Sequence, residues 1–127
     1  MKKHGILNAE LSRALARLGH TDTVVIADCG LPVPPDVPLV DLALVFGIPR
    51  FTDVLDAIRA EIVIEAVTAA EEAIHSPAHA WLAERFDTID AIPHEELKRQ
   101  VRDAAVVVRS GETTSYANVI LRCGVPF

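Results

Sequence analysis

"LGHTDTVVIADCGLPVP", residues 18–34, decides how this chain is read. Its centre, residues 23–28, is a β-branched apolar run with no polar interruption before Asp28, which predicts a strand covered on both faces. Such a strand needs helices on each side of its sheet, so the run points to an α/β layered domain. Upstream, Leu7, Leu11, Ala14, Leu15 and Leu18 recur at helical spacing. Asn8 can cap that helix and Gly19 suits the left-handed position past its end, so a helix is expected over residues 8–18. Downstream, "CGLPVPPDVP" (29–38) holds four prolines, which fix φ and remove backbone donors, and reads as a stiff ordered loop. His20 and Asp28 therefore stand at the two ends of one strand, roughly 20 Å apart if it is extended. Either the chain bends, or they meet across a subunit boundary, or they serve different sites.

Working outward, "LVDLAL" (39–44) alternates as a strand, "GIP" turns the chain, and Thr52 or Asp53 can cap a helix to Ala60. "EIVIEAVTAA" (61–70) reads as a strand, with an alanine-rich end also compatible with helix. Ser76 and Pro77 open a helix carrying Trp81, Leu82 and Phe86. "TIDAI" is a short strand, Pro93 opens the helix "PHEELKRQVRD", "AAVVVRS" is a strand, "GETTSYAN" a turn and "VILRC" a last strand. The short turn between those last two strands suggests an antiparallel component. With no repeat, low-complexity tract or linker, the expectation is one domain over residues 1–127. Its class is α/β, a layered sandwich with a mixed β-sheet flanked by helices.

The net charge of −6 gives no electrostatic footprint for nucleic acid or anionic membrane. No apolar run reaches 18 residues, and the opening "MKKHGILNAE" is too short for a secretory core, so a cytoplasmic protein is expected. In that compartment Cys29 and Cys123 are expected as free thiols.

The polar groups each have a plain and a chemical reading. His20 can simply complement a helix C-terminus, and Asp28 can make a turn before Gly30. His94 and Lys98, four apart, share a helix face, which is either a solvated face or an acid/base imidazole beside a cation able to bond hydroxyls. Tyr116 and Asn118, two apart, point the same way if the chain is extended, giving an edge aromatic or a pair that reads a polyol. His75 and His79 have ligand spacing, but "HSPAH" lacks the glutamate of a metalloprotease helix and carries Pro77 between them, so no metal is expected. No Walker loop, GxGxxG, GxSxG or CxxC occurs, and nothing asks for a cofactor.

Taken together, "MKKHGILNAELSRALARLGHTDTVVIADCGLPVP", "HEELK" and "YANVILRCGVPF" resemble the D-ribose pyranase family, the RbsD side of the RbsD/FucU mutarotases. The resemblance runs from Met1 to Phe127, specific at both ends and carried by pattern between Leu39 and Asp90. It implies that His20 is the catalytic acid/base and that Asp28, His94, Tyr116, Ala117 and Asn118 contact a sugar, with Lys98 beside them. It also implies a homo-oligomer, a pentamer or a decamer of two rings, with sites completed by adjacent subunits. The implied reaction exchanges the pyranose and furanose forms of D-ribose. Two other classes stay open: a non-catalytic sugar-binding accessory of a transport system, and a structural oligomer. A related sugar such as fucose is the alternative substrate. Cys29, Pro93 and Ser115 depart from the family pattern without removing a functional group.

Overall fold

The strand read from the opening stretch is β1 (Thr23–Ala27), and Val24, Val25, Ile26 and Ala27 are completely buried. The computed structural model describes residues Met1–Phe127. In chain order the elements are α1 (Ala9–Leu15), β1, β2 (Leu39–Asp41), α2 (Phe51–Arg59), β3 (Ile64–Ala70), α3 (Pro77–Ala83), β4 (Asp90–Ile92), α4 (His94–Gln100), β5 (Val106–Arg109) and β6 (Val119–Cys123). Short 3₁₀ turns at Glu71–His75 and Val101–Asp103 join β3 to α3 and extend α4.

The six strands form one mixed sheet in the order β2-β5-β1-β6-β3-β4. β1, β2 and β5 are mutually parallel, β3 and β4 are parallel, and β6 runs antiparallel to both its neighbours, β1 and β3. Five strands therefore share one direction, and their C-terminal ends lie along one edge of the sheet. The short turn between β5 and β6 does not make them partners. Residues 110–118 carry the chain across the end of β1, which lies between them; the antiparallel component is β6 against β1 and β3.

On one face α1, α2 and α3 bury Leu11, Phe51, Leu55, Ile58 and Leu82 against alternate strand residues such as Val24, Ile26 and Leu121. On the other face Leu97 of α4 and Val101 pack on Val25, Val107 and Ile120. Each such fully buried side chain contributes about 1.5–3 kcal/mol. The proline-rich loop is anchored to this second layer by Leu31 and Val37, both buried, and by the Val107 N–H donating to the Pro38 carbonyl at 2.8 Å. Its stiffness thus comes from fixed φ angles and from two apolar anchors.

Several boundaries move from their sequence positions. The first helix ends at Leu15 and the left-handed residue is Thr21 (φ 71°), not Gly19. Arg50 precedes α2 and Asp53 lies inside it, accepting the Arg50 N–H at 3.2 Å, so neither Thr52 nor Asp53 is the cap. β2 stops at Asp41 and β3 starts at Ile64. His75 and His79 do not share a helix face, because Ser76 between them is extended (φ −119°, ψ 155°). No group of three His, Cys, Asp or Glu side chains gathers in a way that can hold a metal ion.

Candidate active site

The carboxyl edge of the parallel strands carries a polar cleft of about 400 Å³, lined by Asp28, His94, Lys98, Glu112, Tyr116 and Asn118 among others. Its size is that of a small-ligand site, and its position beyond the strand ends is where open α/β sheets bind ligands. Asp28 comes from the end of β1, His94 and Lys98 from α4 directly after β4, and residues 112–118 from the β5–β6 connection.

Asp28 is fixed at both carboxylate oxygens. Oδ1 accepts the Gly30 N–H at 2.9 Å, an Asx turn that starts the proline loop, and Oδ2 accepts Asn118 Nδ2 at 2.9 Å. The Asp28 N–H in turn donates to Asn118 Oδ1 at 2.9 Å. Asn118 is only 1% exposed, and its side chain is spent on Asp28. Tyr116 is exposed, has a left-handed backbone (φ 62°), and lies edge-on to the His94 ring with centroids 5.2 Å apart. Tyr116 and Asn118 are therefore not neighbours on an extended strand: the Asn118 N–H bonds the Tyr116 carbonyl at 2.8 Å in a tight turn that presents the ring and buries the amide. Ala117 between them is completely buried in the core and does not line the cleft.

Glu72 holds the start of α4, both its carboxylate oxygens accepting the His94 N–H at 2.9 and 3.2 Å. His94 Nδ1 is buried and has no hydrogen-bond partner within the chain. Lys98 faces the cleft from one turn further and pairs with Glu95, whose carboxyl it holds below the usual range.

Glu112, which no sequence motif marks, also lines this cleft and is 8% exposed. Its Oε1 accepts the Thr113 and Thr114 N–H groups at 3.0 and 3.1 Å, and its Oε2 accepts the Phe51 N–H at the start of α2 at 3.2 Å. Burial pushes this carboxyl up, but the surrounding donors from Thr114, Phe51 and Thr113 outweigh it and leave it below its ordinary value. The one signal was a lone acid in the turn "GETTS", which reads as solvated until its burial is known.

His20 lies at the other edge of the sheet. Its turn precedes β1 and is pinned to β6: the Thr21 N–H donates to the Cys123 carbonyl at 2.9 Å and the Cys123 N–H to the Asp22 carbonyl at 2.8 Å. The Gly19 N–H donates to Asp22 Oδ2 at 2.7 Å. A β-branched residue in the left-handed region costs about 1–2 kcal/mol and persists only where neighbours over-determine it, as these bonds do at Thr21. The His20 side chain is half exposed, and its Nε2 lies 3.0 Å from Glu65 Oε2. Within one chain, then, Asp28, His94, Lys98, Tyr116 and Asn118 converge and His20 does not.

Comparison with known proteins fits this arrangement. The chain is 52% identical to a D-ribose pyranase of Cutibacterium acnes and 54% identical to D-ribose pyranase 1 of Rubrobacter xylanophilus, each match covering both chains completely. The structure of Bacillus subtilis RbsD complexed with D-ribose superposes with a TM-score of 0.95, at 47% identity and full coverage of both chains. A fucose mutarotase from Streptococcus pneumoniae in complex with L-fucose, 22% identical over 99% of this chain and 100% of its own, shares the fold with a TM-score of 0.86. The sequence pattern of the RbsD / FucU transport protein family matches residues 1–126, and the chain belongs to that family.

Proposed function

We propose that the protein is a D-ribose pyranase, an isomerase that exchanges the pyranose and furanose rings of D-ribose. The observation that carries this reading is full-length identity of about half to proteins of that name, in a chain whose cleft gathers the polar groups that bind hydroxyls. The reaction removes the anomeric hydroxyl proton, breaks the bond from the anomeric carbon to the ring oxygen, and puts a proton on that oxygen. A different hydroxyl then adds to the open aldehyde. Both halves need only acid/base help, and histidine serves both directions near neutral pH.

In this reading His20 moves the proton while Asp28, His94 and Lys98 hold hydroxyls. Tyr116 packs on the sugar, and Asn118 and the Ala117 main chain fix the frame. A positioned acid/base contributes about 10²–10⁴ in rate. His20 and the cleft lie at opposite edges of one sheet, which supports a homo-oligomer, pentameric or decameric, in which the imidazole of one subunit faces the cleft of the next. Leu44, Val45, Phe46 and Ile48, all exposed on one loop, support the same assembly, since large clustered apolar side chains are what a subunit contact covers. The unpaired, buried His94 Nδ1 is a group that such a contact or a bound hydroxyl satisfies. The protein is placed in the cytoplasm by this reading, where ribose entering the cell would meet it.

Saturation-transfer NMR on D-ribose tests the function. Purified protein is expected to accelerate exchange between ring forms, and His20→Ala to abolish the acceleration while keeping its oligomeric state. Wild-type exchange rates in that variant contradict the role of His20. Ribose binding without any acceleration by the wild-type protein contradicts the enzyme reading in favour of a sugar-binding accessory.

A further inference from the structure

We propose that Glu65 is a positioning residue for His20, fixing the tautomer in which Nε2 carries the proton and Nδ1 is the nitrogen that exchanges protons with the sugar. This rests on the reading of His20 as the acid/base. The contact is direct, Nε2 to Oε2 at 3.0 Å, and the other carboxylate oxygen is ion-paired with Arg122, Oε1 to Nε at 2.8 Å. A carboxylate held by a guanidinium accepts hydrogen bonds and donates none, so the ring nitrogen facing it must be the donor. The hydrogen bond from His20 and the charge of Arg122 keep the Glu65 carboxyl below the usual range, which preserves that acceptor state. In neutral imidazole the remaining nitrogen then carries the lone pair.

Two features of the backbone aim Glu65 at the ring. The β3–β6 register slips here: Ile64 pairs with Cys123 and Ala66 with Arg122, so Glu65 is the extra residue of a β-bulge. Bulges re-aim side chains and recur beside active sites. Opposite it, Gly124 leaves the space, since a Cβ there would lie 3.3 Å from the Glu65 Cβ and 3.1 Å from Val63 Cγ1. Meanwhile the Thr21 turn, tied to β6, brings His20 to the same point. Asp22 is committed to the Gly19 N–H, so Glu65 is the carboxylate that reaches the ring.

Nδ1 takes the anomeric proton as the C–O ring bond breaks and the carbonyl forms, and the imidazolium returns a proton to the ring oxygen. While the ring is charged, the Nε2–H to Glu65 bond stabilises it, and no net proton or electron is consumed.

Nitrogen-15 NMR of the wild-type protein is expected to show His20 protonated at Nε2 and bare at Nδ1. Glu65→Ala is expected to mix the tautomers and to slow ring exchange roughly 10–100-fold, the range seen when the carboxylate partner of a metal-bound histidine is removed. The apparent KM for ribose is expected to stay unchanged, because Glu65 bonds His20 and Arg122 and is not among the residues that line the Asp28 cleft. Glu65→Gln, whose amide oxygen can still accept from Nε2, is expected to restore the tautomer and part of the rate. A bare Nε2 in the wild type overturns the proposal whatever the variants do. So do wild-type rates in Glu65→Ala, or a rate loss there matched by lost ribose binding. Loss of exchange in His20→Ala beside full exchange in Glu65→Ala removes the Glu65 role alone; full exchange in His20→Ala removes the reading beneath it.

Discussion

Asp28 and Asn118 bond each other twice across the β1–β6 edge, backbone N–H to amide oxygen and amide nitrogen to carboxylate, each at 2.9 Å. The pair welds the exit of one strand to the entrance of its antiparallel neighbour, ninety residues away in sequence. One carboxylate face is thereby aimed, since Gly30 holds the second oxygen. Removing the amide leaves the Asp28 N–H without its acceptor. Asn118→Ala is expected to lower stability by about 1–3 kcal/mol in urea denaturation. It should also raise the apparent KM for ribose more than it lowers the maximal exchange rate, because Asp28 loses its aim and His20 is untouched.

Glu112 ties three otherwise open N–H groups from the cleft turn and the start of α2. Glu112→Ala is expected to cost about 2–4 kcal/mol, at roughly 1 kcal/mol or more for each bond lost in a buried setting. Tyr116 fluorescence and ribose affinity should both report a loosened turn.

The same carboxylate gives a pH signature. Its folded value lies below the ordinary 4.5, so its contribution to stability is complete above that pH and is lost as pH falls through the lowered value. Thermal melts from pH 6 downward are expected to fall less steeply in Glu112→Gln than in wild type below about pH 4.5, the Gln variant starting from a lower melting temperature. Parallel acid limbs for the two proteins contradict the assignment.

Phe46 is 85% exposed at the tip of the apolar loop. If that loop is a subunit contact, Phe46→Glu buries a charge there and is expected to yield monomers in analytical ultracentrifugation, with ring exchange lost in parallel. An intact oligomer would move the contact elsewhere on the surface.

The sequence made the sheet legible through "TVVIAD", because uninterrupted β-branched residues have few other uses, and it made the separation of His20 from Asp28 legible through simple strand length. It did not reveal that β1 intrudes between β5 and β6, since a short turn signals proximity and says nothing of which strand fills the gap. Nor did it reveal Glu65, because period-2 alternation presumes a regular strand and the bulge breaks the period at that residue. Asn118 is legible as a polar group near Tyr116, but its burial against Asp28 is a long-range fact. Ala117 and Tyr116 show the same limit: adjacent in sequence, one is buried in the core and the other stands exposed at the cleft because of a single left-handed residue.

The central claim, that one subunit's imidazole works in its neighbour's cleft, is tested most directly by mixing two inactive variants. His20→Ala and Asp28→Asn, each unable to accelerate ring exchange alone, are dissociated together, allowed to reassemble, and assayed by NMR on D-ribose. Shared sites predict that the mixed oligomers regain exchange, since some clefts from the His20→Ala chain then face an intact imidazole. Mixed oligomers as inactive as their parents contradict the account.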